Sequence, residues 1–280
     1  MLSVIVCSVD KEAYSALSEN IALTIGDIQY EMIRINNETN NYNITTAYNM
    51  GIDRATFSNL LFVHEDVIFH TARWGEILLK IFADENIGLM GIAGTKIKTK
   101  MPSAWWDCPE AFKAINIIQH KDQAKKRRFT GFNEEKETDV VAIDGVFMAM
   151  KKNDFIRFNT KIKGYHNYDL NISFEHFQKE KRIVVTKQIL LEHLSPGKLD
   201  ESWIRSSIKL HELYNCGPHL VGEVNSSLFK KLEIDNGVKC IHHLLRFGLR
   251  RKAFYWWGQI LKLRPSTKTH WRILKMFVAR

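Results

Sequence analysis

Along the first third of the chain the apolar positions switch between two rhythms. Residues 3–9 are a short, nearly unbroken apolar run, as expected of a strand covered on both faces. Residues 11–25 then place Ala13, Leu17 and Ile21 at helical spacing and stop at Gly26, a suitable C-terminal cap. The alternation continues with a strand over 31–35 that closes on Asn36 and Asn37, and a helix over 44–55. A strand over 59–63 closes on His64-Glu65-Asp66, and a helix over 73–83 leads to a strand over 87–93. Strands and helices in this order predict βαβ units and a mostly parallel sheet, an α/β fold.

Residues 96–138 break that order. They hold Pro102, Pro109, the pair Trp105-Trp106 and the basic run Lys125-Lys126-Arg127-Arg128, with no sustained period. A long irregular stretch within a compact domain is typically a functional loop or lid. Residues 140–150 read as a strand interrupted at Asp144-Gly145, which suits a bulge or a backbone approaching a ligand. A helix over 168–179 and a strand over 182–186 follow, and the pattern is helical from there to the end.

Composition narrows the class. With 45% hydrophobic and 25% charged residues in 280, the chain can bury a core, which excludes disorder, collagen-like repeats and a coiled coil. No run reaches the ~18–20 apolar residues of a membrane span. The start of the chain has neither a basic region nor a cleavage site of a secretory signal, so the expected location is the cytoplasm. Cys7, Cys108, Cys216 and Cys240 are scattered without metal-type spacing, which fits free thiols in a reducing compartment. The net charge of +9 is unevenly placed: eleven Lys and Arg and no acid lie after Gly237, so residues 1–236 carry only about −2. The expected division is a catalytic domain over 1–200 and a helical, basic extension over 201–280.

In open parallel sheets, ligands bind beyond the carboxyl ends of the strands. Three successive strands end here in polar groups: Ser8 and Asp10, Asn36 and Asn37, then His64, Glu65 and Asp66. Neither GxGxxG nor GxxxxGK[ST] occurs, so a nucleotide at this edge needs a metal ion to meet its phosphates.

The stretch FVHEDVIF at 62–69 resembles the bacterial glycosyltransferase-like branch of the type-2 glycosyltransferases, which have the GT-A fold. Further landmarks are SVIVCSVD (3–10), NITTAYNMGIDRA (43–55), Trp105-Trp106-Asp107, VVAIDGVFMAM (140–150), GYHNYDL (164–170) and EHLS (192–195). The resemblance spans about residues 3–195 and implies a nucleoside diphosphate sugar as donor. It places Ser8, Val9 and Asp10 near base and ribose, Asn36 where an aspartate bonds the base, and Asn49 close to the nucleotide. His64-Glu65-Asp66 takes the place of the DxD-type motif, with Asp66 as metal ligand and Glu65 facing the ribose. A hard divalent cation, Mn2+ or Mg2+, needs only one or two protein carboxylates there. His193 falls where a histidine completes the metal site.

The resemblance departs at the catalytic base. The usual Glu-Asp pair falls on His166 and Asn167, which leaves Asp169 and His166 as candidates, Asp169 being preferred. The resemblance also puts Trp105, Trp106 and Asp107, with Asp144 and Gly145, against a sugar of donor or acceptor. Of the two indoles, one is expected to anchor the loop and one to meet sugar. The run 125–128 could meet an anionic acceptor or a diphosphate, or simply be solvated.

Residues 238–263 carry an apolar seam of Ile241, Leu244, Leu245, Leu249, Ala253, Trp256, Trp257 and Ile260 between basic flanks. Residues 268–280 repeat the motif with Trp271, Ile273, Leu274 and Phe277. This suits either an anionic membrane surface or helices packed on the catalytic domain with a basic outer face. No nucleic-acid motif accompanies the charge. The expected activity is transfer of a sugar to a saccharide or lipid-linked glycan in surface polysaccharide or lipooligosaccharide synthesis. The rivals are a catalytically degenerate glycan-binding scaffold and a nucleotidyltransferase. The latter lacks its glycine-rich turn in SVDKEAY (8–14).

Overall fold

A computed structural model describes residues 1–121, 124–197, 199–214, 219–221, 225–265 and 268–278. The first half runs β1 (Leu2–Ser8), α1 (Lys11–Thr24), β2 (Tyr30–Asn36), α2 (Ile44–Arg54), β3 (Asn59–Val63), β4 (Val67–Phe69), α3 (Trp74–Ile81), β5 (Ile87–Gly91), β6 (Ala93–Thr95) and β7 (Ile97–Lys98). Then come β8 (Lys113–Lys121), β9 (Ala124–Thr130), β10 (Glu137–Val140), β11 (Ala142–Ile143), β12 (Phe147–Lys151), α4 (Tyr168–Gln178), β13 (Arg182–Thr186) and β14 (Leu191–His193). The last part comprises α5 (Glu201–Tyr214), β15 (His219–Leu220), α6 (Ser226–Arg246), α7 (Arg250–Leu263) and α8 (Lys268–Val278).

The main sheet has the order β10-β13-β5-β12-β3-β1-β2. Its β3-β1-β2 side is parallel, as the βαβ rhythm predicts. The sheet as a whole is mixed, because β12 lies antiparallel between β3 and β5, and β10 lies antiparallel on β13. Apolar side chains fill both faces. Leu2, Val4 and Val6 of β1 pack with Leu17 and Ile21 of α1, while Ile5 packs with Ala47 and Tyr48 of α2. This two-sided burial is why β1 reads as a continuous apolar run.

A second sheet, β11-β6-β8-β14-β4 with β9 added on β8, departs from the sequence reading in three ways. The run 87–93 divides at Ile92 between the two sheets, and 140–150 divides into the end of β10, β11 and β12, with Asp144 and Gly145 in the turn between the last two. Residues 96–138, expected to be a loop, contain the hairpin β8–β9. Ile115 and Ile117 of β8 are buried, whereas β9 exposes Ala124, Lys125, Lys126, Arg127 and Phe129. A charged edge strand discourages pairing with other chains and hides its own periodicity. Finally, β14 and β15 interrupt the region expected to be entirely helical.

The seam at 238–263 is not one helix. Phe247, Gly248 and Leu249 separate α6 from α7, with Gly248 at φ +71° in the turn. Ile241, Leu244, Leu245, Ala253, Trp256 and Ile260 face inward and form a third core with Met101, Ala104, Trp203, Ile204 and Ile208. Gly237 lets Ile260 close on α6, since a Cβ there would lie 2.8 Å from its Cδ1. The seam is thus consumed by packing on the rest of the protein, and outward-facing residues remain the basic surface. None of the described helices is long and apolar enough to cross a membrane.

Candidate functional site

The end of β3 and the end of β14 meet. His64, Asp66 and His193 bring ligand atoms within 4.8 Å of one another. His64 Nδ1 lies 3.8 Å from Asp66 Oδ1 and 3.4 Å from His193 Nε2, and His193 Nε2 lies 3.5 Å from the same carboxylate oxygen. The remaining imidazole nitrogens have partners of their own. His193 Nδ1 lies 3.1 Å from Gln119 Oε1 on β8, and His64 Nε2 lies 2.5 Å from the Tyr168 hydroxyl. An amide carbonyl can only accept, so Gln119 fixes the proton on Nδ1 and leaves Nε2 directed at Asp66.

Charge agrees with this placement. Burial, reinforced by the neighbouring His193, pushes His64 down to about 4, so it is a neutral imidazole at physiological pH. Burial alone would raise the Asp66 carboxyl. Hydrogen bonding and charge from His193, with Ser195 and His64, hold it well below the usual carboxylate range. Two imidazoles and one carboxylate on a common focus fit a divalent cation.

A pair of aspartates stands beside this cluster. Asp144 Oδ1 accepts the Val146 N–H at 2.9 Å and its Oδ2 accepts the Trp105 indole N–H at 2.9 Å. Asp169 lies in the first turn of α4. Burial, with the negative charge of Asp144 adding to it and the Leu170 N–H opposing, pushes its carboxyl up to about 7. Gly145 permits the assembly, because a Cβ there would fall 2.4 Å from the Tyr168 hydroxyl that meets His64. Asn167, where a carboxylate was sought, is buried and donates its Nδ2 to the Trp203 carbonyl on α5. His166 turns toward Asp200, 3.5 Å away, and burial lowers its pKa against the pull of that acid.

On the other side, Glu65 accepts the N–H groups of Val9 and Asp10 at 3.1 and 3.2 Å, tying the end of β3 to the end of β1. Asp10 caps α1 by accepting from Glu12 and Ala13. Ser8 is buried, donates to the Asp10 carbonyl and accepts from Arg34 Nε at 3.0 Å. Asn36 closes a turn by accepting the Glu38 N–H. Asn49 exchanges two hydrogen bonds with the Phe158 backbone, bracing α2 against the loop before α4. Asn37 is buried and bonds Tyr42 and Tyr165. Of the nucleotide candidates, Asn49 and the buried Ser8 are occupied by structure, whereas Val9, Asp10, Glu65 and Asp66 form one rim next to Ser8.

The two indoles differ in exposure. Trp105 is buried on Asp144, and Trp106 is 38% exposed, edge to face with it at 5.5 Å between centroids. Asp107 accepts the Ala104 N–H and pairs with Lys239 of α6 at 2.9 Å, so it shapes the loop. In the basic run, Lys125 binds Glu192, which also meets His70 and His120 at 2.8 and 2.5 Å. Burial would raise Glu192, but Lys125 and the two histidines bring it down to about 2. Three site residues went unread in the sequence. Tyr168 is the neighbour of Asp169 in GYHNYDL, Arg34 lies inside a strand, and Gln119 lies in a stretch with no sustained period.

Residues 3–214 match the family described as glycosyltransferase-like. The chain belongs to that family. No curated protein matches it in sequence. Among solved structures it is similar to S. aureus TarS 1-349 in complex with UDP-GlcNAc, at 11% identity and a TM-score of 0.52, over 94% of this chain and 88% of that one. A second structure of S. aureus TarS 1-349 gives 12% identity with the same score and coverage. GalNAc-T7 with UDP, GalNAc and Mn2+ is similar at 10% identity and a TM-score of 0.50, over 77% of this chain. The chain spans about half the length of that last structure, 49%. The fold of this glycosyltransferase-like protein is thus GT-A, extended by a helical region at its C-terminal side.

Proposed function

We propose that the protein is a metal-dependent glycosyltransferase that moves a sugar from a nucleotide sugar to a saccharide acceptor. The observation that carries this is the juxtaposition of His64, Asp66 and His193 with a carboxyl group, Asp169, whose pKa is pushed up to about 7. A divalent cation held by the first three would neutralise the diphosphate as it departs. Asp169 then takes the proton of the acceptor hydroxyl while that oxygen attacks the anomeric carbon, and the bond from that carbon to the diphosphate breaks. The products are the glycoside, the nucleoside diphosphate and a protonated Asp169. Asp144 holds the buried Trp105 through its indole N–H and, by its charge, helps keep Asp169 a competent base.

The rim of Val9, Asp10 and Glu65, next to Ser8, is the proposed base and ribose side. A uridine nucleotide is the first donor to test, since similar structures are described with UDP and UDP-GlcNAc. A hexose or related sugar donated in surface polysaccharide or lipooligosaccharide synthesis remains the proposed setting. The outward faces of α7 and α8 support a peripheral position on an anionic membrane: Phe254, Tyr255 and Trp271 are 60–69% exposed among Arg251, Lys252 and Lys275.

The test is a thermal shift with UDP-sugars with and without Mn2+. Ligand that binds only the native state raises the melting point by mass action. The parent should gain stability only when both are present, and Asp66→Ala should lose that gain while melting normally alone. Equal nucleotide binding by Asp66→Ala would overturn the metal assignment.

A further inference from the structure

Beside the Trp105–Trp106 loop runs an open groove of about 610 Å3, walled on its far side by α6 and α8. Its size lies within the ~300–1,000 Å3 of ordinary ligand sites. Trp106 forms one wall, and Asp235, Lys239, Thr269 and Arg272 contribute from the helices. We propose that this groove is a second saccharide subsite, which holds sugars of the acceptor remote from the one being glycosylated. The role as acceptor subsite rests on the transferase reading; saccharide binding itself does not.

The groove has the chemistry that a pyranose needs. A sugar ring presents C–H groups on its face, which an exposed indole covers, and hydroxyls at its edge, which carboxylate and guanidinium groups bond in pairs. Trp106 is exposed yet held, because its ring stands edge to face on the buried Trp105. Opposite it, Asp235 and Arg272 are exposed and form no ion pair among the described residues, so both are available to hydroxyls. The other cations are engaged: Lys239 with Asp107, and Lys113 with Glu110 at 2.6 Å. Binding is thus directed at hydroxyls more than at an anion.

The walls are rigid before any ligand arrives. Glu233 of α6 accepts the N–H groups of Lys100 and Met101 at 2.6 and 3.1 Å. Asn236 donates to Thr99 Oγ1 and to the Asp107 carbonyl at 2.9 and 3.0 Å. A preformed site loses less conformational freedom on binding. The groove lies close to the chemistry, since Trp106 rests on Trp105 and Trp105 on Asp144. Two indoles separate Asp144 from the groove, which suits sugars beyond the reacting one.

The experiment uses full-length protein on an array of bacterial mono- to hexasaccharides, without donor. The parent should bind a subset of oligosaccharides and no monosaccharide. Trp106→Ala and Arg272→Ala should each weaken binding at least about tenfold, and Trp106→Phe should restore part of it. In parallel, all variants should melt like the parent without ligand, which certifies the fold, and the thermal shift of Arg272→Ala with UDP-sugar and Mn2+ should equal the parent's, which certifies the donor site. Binding that ignores both alanine substitutions, or the absence of any oligosaccharide binding by the parent, overturns the subsite. Failure of the parent to bind any nucleotide sugar counts instead against the transferase reading.

Discussion

Asp169 carries the clearest prediction at the level of single residues. A general base works as the carboxylate, so a pKa raised to about 7 places the change of activity near neutrality. The expected kcat/KM rises as pH increases through about 7 and levels above it. Asp169→Asn should lower kcat at least ~100-fold with donor affinity near normal. His166→Ala, whose partner Asp200 lies on the side of α5, should keep most of the activity. A pH profile that is flat from 5 to 9, or retention of activity in Asp169→Asn, would remove Asp169 from the mechanism. Its high pKa comes first from burial, which disfavours the charged carboxylate, and then from the negative charge of Asp144 beside it.

At the level of elements, β8 shows what the sequence hides. The strands β1 and β3 announce themselves because apolar residues cover both faces, and polar residues at their ends expose Ser8, His64 and Asp66 to reading. Asp169 as a candidate rests instead on the resemblance around GYHNYDL, once the usual Glu-Asp pair falls on His166 and Asn167. Strand β8 instead mixes buried Ile115 and Ile117 with buried Asn116, whose amide donates to the carbonyls of Lys187 and Ile189. Its partner β9 carries four charges in seven residues. Cross-strand pairing, invisible in a single strand, makes both ordered. Gln119 therefore escaped notice although it orients His193. Gln119→Ala should weaken Mn2+ affinity about 10–100-fold, the usual effect of losing a group that orients a ligand. Metal titration of the full-length protein measures it, and unchanged affinity would mean that His193 is held by other means.

For the whole molecule, the third core decides what can be asked of the basic helices. Removing residues 238–280 would strip Ile241, Leu244, Trp256 and Ile260 from Met101, Trp203 and Ile208, so truncation is expected to cost soluble expression. Membrane binding is better tested on the surface. Trp271→Ser, at a 69% exposed position, should leave stability within ~0.5 kcal/mol but weaken binding to anionic liposomes. Ile241→Ala, at a fully buried one, should lose about 2–5 kcal/mol. Binding should also weaken as salt rises, since each Lys or Arg near the bilayer contributes about 1 kcal/mol and is screened. Intact binding by Trp271→Ser, or none by the parent at low salt, would sink the membrane reading.

The bonds from Glu233 and Asn236 to the loop at 99–107 join residues 129–137 positions apart. During translation, at ~5–20 residues per second, the ribosome needs roughly ten seconds to make the chain between them. Until α6 has emerged, the backbone amides of Lys100 and Met101 lack their carboxylate, and Trp105 has no fixed platform on which to meet Asp144. The nascent chain therefore completes its β-sheets first and the groove beside Trp106, the proposed saccharide site, last. A half-made enzyme could hold a nucleotide sugar but would have no shaped place for the second substrate.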